Sequence, residues 1–302
     1  MGDWNKELPV GLRTTITERQ RRLGYELKQL REQAGFSAGE VAERIGMGRA
    51  QLSQIETAKT TILTERLREL CDLYGCKDKT YVSALVAMSE ATGKGWWTAY
   101  KKPMEQGPLN LAELEAGAVT LRLHQTLLIP GLFQTADYAR ALFTSPDLGF
   151  ENIEDTLKFR MERQHVLTRE NPPSVHAVIH ESALHMRFGG AEVLRDQLLR
   201  LAELARLPNV TVQIYPFTSQ PHAALTGNFV HAIPEVPELG TVVLEYPSGF
   251  RYLSDRDGLT QYNALFERLT EHALAPIDVS LAPEAHSVKD SLALIQHVLY
   301  TL

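Results

Sequence analysis

The sequence predicts an all-α domain of five helices followed by a mixed α/β (α+β) domain. Three observations carry this. From Arg19 to Ala91 apolar residues recur at helical spacing. Gly93, Gly95, Pro103, Gly107 and Pro108 then break the pattern. Beyond Val119, short alternating stretches are interleaved with helical ones. A chain of 302 residues has room for two domains, and its 44% apolar content is ordinary for a globular protein. The boundaries fall as a flexible lead-in over 1–18, a helical domain over 19–92, a linker with a short helix over 93–117, and the α/β domain over 118–302.

The lead-in, MGDWNKELPVGLRTT, has no hydrophobic signal core, and Pro9 and Gly11 favour flexibility. A first helix, about Arg19 to Ala34, carries Leu23, Leu27 and Leu30 on one face. Ser37 and Glu40 form a capping box that opens a second helix to about Ile45, with Val41, Ala42 and Ile45 inward. Ala42 is small where the next helix must cross closely, and Gly46 supplies the positive φ of a sharp turn. The third helix, about Arg49 to Glu56, buries Leu52 and Ile55 and turns Arg49, Ala50, Gln51, Ser53 and Gln54 outward. Two short helices joined by a tight turn, the second presenting residues that can pair with guanine and adenine edges, make a helix-turn-helix. Helices at about Thr64–Tyr74 and Thr80–Ala91 complete the domain.

Arg31, Gly35, Ser37 to Glu40, Val41-Ala42, Gly46, Leu52, Ile55-Glu56 and Lys59-Thr60 resemble the phage-repressor (Xre-type) helix-turn-helix family. The resemblance implies a partly buried ion pair between Arg31 and Glu56. It puts phosphate and base contacts on Ala38, Arg49, Ala50, Gln51, Ser53 and Gln54, and Lys59 joins that set. Ala38 and Ala50 stand where longer polar residues are usual, Gly48 where a capping Ser or Thr is usual, and Ala58 where glycine is usual. From Arg19 to Thr60 eight Lys/Arg face five Asp/Glu, although the chain as a whole carries −6. The basic charge thus sits where phosphate would be met. The excess is modest, so tight binding to double-stranded DNA calls for a homodimer on a near-palindromic site. The rival for this half is a helical interaction domain that does not touch DNA.

In the second half, strands are expected at Val119–Leu123, Val175–Ile179, Val210–Ile214, Asn228–Ala232 and Thr241–Tyr246. Helices are expected at about Asn110–Ala116, from an N-capping Thr135 to Phe143, and at Ile153–Thr168, Ala191–Ala205, Leu259–Ala273 and Ser287–Tyr300. The last places Val288, Leu292, Ile295 and Leu299 on one stripe, to dock on the sheet or on a second copy.

Leu127 to Phe143, with its IPGLFQTADYARAL core, resembles the signature of actinobacterial (Streptomyces-like) antitoxin-like transcriptional regulators. So do Arg160 to Gln164, Glu181 with Leu184, Gly189-Gly190, Gln197-Leu198, Pro208 to Gln213, Pro216-Phe217, Gly227 to Phe229 and Ser291 to Ile295. Phe133 departs from that group's leucine. The resemblance implies a C-terminal domain that works with a small protein encoded nearby. The Pro130–Arg140 segment, with Pro130, Gly131, Phe133, Gln134, Tyr138 and Arg140, is the candidate partner or ligand surface. The competing reading is that Leu132, Phe133 and Tyr138 are simply core.

All ten histidines lie in the second half. His180 and His185 are five apart, which does not put both on one helix face as a zinc motif needs, so no metal is expected. His176 and His180 share a strand face, expected to be solvated. No phosphate loop or H-x-K pair is present, so no catalytic residues and no cofactor are expected. Cys71 and Cys76 read as structural thiols. Trp96-Trp97 reads as an interdomain anchor or an exposed contact. No apolar run approaches a membrane span of ~18–20 residues. Together these observations predict a cytoplasmic, nucleoid-associated, DNA-binding regulator that is not an enzyme. Its second domain would receive a signal from a protein partner or, alternatively, from a small molecule.

Overall fold

The computed structural model describes residues 12–13, 15–145, 152–219, 227–246, 249–280 and 290–302. The chain divides into two compact units, Met1–Trp96 and Trp97–Leu302. The first unit is all-α: α1 Glu18–Gln33, α2 Ala38–Arg44, α3 Arg49–Glu56, α4 Thr64–Leu73 and α5 Lys79–Glu90. Thr17 and Gln20 form a capping box at α1, and Ser37 and Glu40 form one at α2. Leu23, Leu27, Val41, Leu52, Ile55 and Leu67 are buried among the core residues. The lead-in is not flexible throughout. The Arg13 N–H donates to the Lys59 carbonyl at 2.9 Å and its guanidinium to the Ala58 carbonyl at 2.8 Å. Carbonyls just past a helix end are open acceptors, which is why an arginine docks there. Pro9 and Gly11 lie outside the described residues.

The second unit begins with a short 3-10 turn, Trp96–Tyr100, shared across the boundary, and then α6, Gln106–Gly117. This helix starts earlier than the expected Asn110. Gly107 and Pro108, expected in a linker, sit in its first turn, where a missing N–H has no intrahelical partner to lose. Six strands follow in the spatial order β3-β2-β1-β4-β5-β6. β1 Thr120–Gln125, β2 Ser174–His180 and β3 Val210–Tyr215 run parallel. β4 Phe229–Ile233, β5 Thr241–Tyr246 and β6 Gly249–Leu253 extend the sheet antiparallel. Between β1 and β2 come α7 Ala136–Phe143 and α8 Ile153–Arg163, and between β2 and β3 comes α9 Ala191–Leu204. After β6 come α10 Arg256–His272 and α11 Ser291–Thr301.

Both sheet faces are covered. Leu121, Leu123, Ala177 and Val212 pack with Leu142, Leu198 and Ile295 from α7, α9 and α11. On the other face Val178, Phe229 and Val242 pack with Leu259, Phe266 and Leu269 of α10. Covering both faces explains a departure in β1: His124 is fully buried, whereas Val119 precedes the strand and is 51% exposed. β6 was not expected, because GFRYL has no clean alternation and its residues at the sheet edge stay part-exposed. α11 turns Leu294, Ile295 and Val298 into the core, leaving Leu292 and Leu299 partly buried. Val288 lies outside the described residues.

Candidate nucleic-acid interface and ligand cavity

α3 is held by contacts at both ends. The turn before it uses Gly46 at φ +62°, and the Met47 N–H reaches back to the Ala42 carbonyl at 2.8 Å. Gly48 caps the helix without a side-chain bond. At the far end Arg31 grips Glu56 with both arms of its guanidinium, Nε–Oε1 at 2.6 Å and Nη2–Oε2 at 3.1 Å. Its third nitrogen donates to the Phe36 carbonyl at 2.8 Å. Both side chains are over nine-tenths buried, and the hydrogen bond to Glu56 holds the Arg31 guanidinium above its ordinary value. Gly24 of α1 is the closest approach. A Cβ there would lie 2.5 Å from the Glu56 carbonyl oxygen and 2.9 Å from that of Ile55. A lone glycine inside a helix was the available signal for this crossing. Ala58 takes the left-handed conformation at φ +59° and is buried.

So seated, α3 leaves Arg49, Ala50 and Ser53 exposed, with Lys59 exposed just beyond it, while Gln51 and Gln54 are half-buried. One exposed cation, two amides and a hydroxyl on a helix of eight residues can address phosphates and base edges.

The Pro130–Arg140 segment is mostly interior. Phe133 and Tyr138 are fully buried, Gln134 is 2% exposed, and Pro130 is buried too. These four therefore do not form a surface for a protein partner, because the turn that carries them packs against α8 and α9. Three distant side chains fix it. Gln164 donates to the Gln134 carbonyl at 2.7 Å, and Gln197 donates to the Phe133 carbonyl while accepting from the Thr135 N–H, both at 2.8 Å. Arg160 Nη1 donates to Gln134 Oε1 at 2.6 Å. The Tyr138 hydroxyl accepts from the Ile129 N–H, and burial pushes its pKa up to about 12. Thr135 caps α7 by accepting from the Tyr138 N–H. Ala136, Asp137 and Arg140 are on the outside, and Arg140 pairs with Glu154.

Pro130, Gly131 and Leu132 instead form one wall of a cavity of about 910 Å³. α6, α8, β1, β4–β6 and the segment Lys102–Glu105 also line it, with Leu111, Glu115, Phe159, Arg160, Val230 and Phe250 among the residues. Arg163 Nε pairs with Glu115 Oε2 at 2.9 Å, and Glu115 is 1% exposed. Burial pushes the Glu115 carboxyl up, against the pull of Arg163 and Arg160. Burial, together with the neighbouring Arg163 charge, brings the Arg160 guanidinium down to about 10.

The face of the sheet beneath α10 carries Arg122, His124, His176, His180 and His231. His176 and His180 do share a face, and both are half-buried rather than solvated, His176 against Phe266 of α10 and His180 against Tyr215 and Phe217. His176 Nε2 meets Gln213 Oε1 at 2.7 Å and its ring stands edge-on to Phe266. Burial lowers both of these histidines, and it brings His124 and His231 down to about 4. Among the described residues no group of three or more His, Cys, Asp or Glu is placed to hold a metal ion. Cys71 and Cys76 are free, and burial pushes the Cys71 thiol up to about 12. No described helix is long and apolar enough to cross a membrane.

The first unit is thus a helix-turn-helix of the DNA-binding kind, and a helix-turn-helix domain model matches residues 22–83. A second model, described as a domain of unknown function (DUF5753), matches residues 109–297. That span exceeds half of the chain, which therefore belongs to the DUF5753 family: a DNA-binding regulator by its first domain, with a six-stranded mixed α/β domain behind it. No curated protein and no solved structure matches the chain.

Proposed function

We propose that this chain is a sequence-specific transcriptional repressor of the Xre type that binds a near-palindromic site as a homodimer. It acts by binding rather than catalysis, in the cytoplasm and on the nucleoid. The observation that carries this reading is α3, with Arg49, Ser53 and Gln54 outward on a helix clamped by Gly24 and the Arg31–Glu56 pair. The small basic excess around it supports two half-sites over one.

On the residues it shares with the antitoxin-like actinobacterial regulators, the second domain would answer to a small protein encoded nearby. A small-molecule effector is the second reading, favoured by the cavity of about 910 Å³, a size usual for ligand sites. Either ligand shifts DNA affinity only if it binds two states of the chain unequally.

The test is selection of duplexes from a random pool by the full chain, followed by titration of the recovered sequence. Arg49→Ala and Gln54→Ala should each weaken binding by about 1–3 kcal/mol and relax preference at single positions. Unchanged affinity and preference in both variants would remove α3 as the reading helix. A recovered consensus with no two-fold symmetry would remove the homodimer.

A further inference from the structure

We infer that the second-domain cavity binds one small molecule bearing a single carboxylate on an apolar body, with Arg160 as its anchor. This rests on the effector reading above and gives it a ligand class. Of the charged residues that line the cavity, Glu115 and Arg163 are buried and Arg160 is half-buried, whereas Lys102, Glu105 and Glu245 are exposed. Glu115 and Arg163 are paired at 2.9 Å, and no carboxylate among the described residues lies within ion-pair distance of Arg160. Its guanidinium spends one donor on the Gln134 amide oxygen at 2.6 Å and lies 5.0 Å over the Phe143 ring. The remaining N–H groups have no acceptor among the described residues, although a guanidinium carries five donors in a fork that matches a carboxylate.

Glycine at 131 keeps this fork open. A Cβ there would lie 2.7 Å from Arg160 Nη1 and 3.1 Å from Arg163 Nη2. The two guanidiniums thus converge on bare backbone at the cavity wall. Away from them the lining is mixed: Leu111, Leu123, Leu132, Phe159, Val230 and Phe250 give an apolar patch beside polar Gln125, Thr156 and Glu245. Glu115 and Glu245 act on Arg160 from beyond ion-pair distance, so its open fork matches one carboxylate rather than a more highly charged group. A phosphate dianion would set its second charge near Glu115 and Glu245, which also line the cavity.

The test is calorimetric titration of the full chain with 4-phenylbutyrate, decanoate, 4-phenylbutanamide and inorganic phosphate. One of the two acids should bind once per chain, at least about tenfold tighter than the amide, as a charge-assisted pair requires. Phosphate should bind more weakly than that acid. Arg160→Gln should erase the preference for acid over amide and leave the amide affinity unchanged. Equal binding of acid and amide, tighter binding of phosphate, acid preference surviving in Arg160→Gln, or no binding of either acid would each overturn the inference. The acid–amide comparison uses the unmodified protein, so a variant that fails to fold does not decide the matter. The same acid is then added to the complex with selected DNA. Acid binding with unmoved DNA affinity would leave the site standing and remove the effector reading, whereas a shift in DNA affinity would support both.

Discussion

The two domains treat their cations in opposite ways. In the helical domain Arg49 and Lys59 stand in solvent, and the buried Arg31 is matched by Glu56 on two arms. In the α/β domain Arg160 and Arg163 point together into a cavity, and only Arg163 has a carboxylate within ion-pair distance. Exposed or matched charge fits a scaffold whose shape must not change when a polyanion lands on it. An inward, unmatched guanidinium carries a desolvation penalty that packing does not return, and its lowered pKa expresses that penalty.

The sharpest way to break this comparison is to strand each charge in turn. Glu56→Ala leaves Arg31 buried without its partner and should destabilise the helical domain by about 3–5 kcal/mol in urea unfolding. Arg160→Gln strands no ion-pair partner but removes the donor to the buried Gln134 amide oxygen, so the α/β domain should lose about 1–3 kcal/mol, less than the helical domain loses at Glu56. Equal losses in both variants would mean that Arg160 is as well matched as Arg31, and the contrast would fall.

A pH change separates the domains next. His124 and His231 are held near 4 in the folded chain, mainly by burial, against about 6.5 for a free histidine. Between those values the unfolded chain binds protons that the folded one refuses, so stability is full above about pH 6.5 and falls as pH drops toward 4. At pH 5 each histidine should remove about 2 kcal/mol from the α/β domain. The helical domain has no histidine before His124 and should not share this loss. Segment-resolved hydrogen exchange at pH 7.5 and pH 5 checks it. Equal weakening of both domains would sink the assignment.

Gly24→Ala sharpens the comparison from the DNA side. The added methyl would press on the Glu56 and Ile55 carbonyls, backbone that cannot rotate away. Overpacking of this kind costs about 1–3 kcal/mol, offset by up to about 1 kcal/mol of helix propensity gained over glycine. Thermal melting should fall by a few degrees, and DNA affinity should fall with it because α3 is displaced. A drop in melting with full DNA binding would show that α3 reseats freely.

What could be read from the sequence was local. Capping boxes at Ser37–Glu40, the cap at Thr135 and the turn glycine Gly46 depend on neighbours within a few residues, and all are present. Five of the six strands were expected from their short apolar stretches; β6 was not, because an edge strand need not bury a full face. The cavity was not legible. Its walls come from α6, α8, the Pro130 turn and β4–β6, and no short-range pattern says that they converge. Two hints were in view. Arg160 and Arg163 stand three apart, hence on one side of α8, and Gly131 lies between Pro130 and the bulky Leu132-Phe133. In the same motif Phe133, Gln134 and Tyr138, candidates for a partner or ligand surface, are interior, which is the competing core reading for Phe133 and Tyr138.

Ala58 offers the smallest effect. At φ +59° an alanine carries a left-handed strain of roughly 1–2 kcal/mol that glycine would relieve. Its methyl is buried, however, and losing it costs about 0.8 kcal/mol. Glycine also loosens the unfolded chain by about 0.5–1 kcal/mol. The terms nearly cancel, so Ala58→Gly should shift stability by less than about 1 kcal/mol in urea. The sign decides which term governs the end of α3. A gain means backbone strain outweighs the other terms, whereas a loss means the buried methyl and the added freedom of the unfolded chain outweigh it, the Arg13 bond to the residue 58 carbonyl being open to either residue.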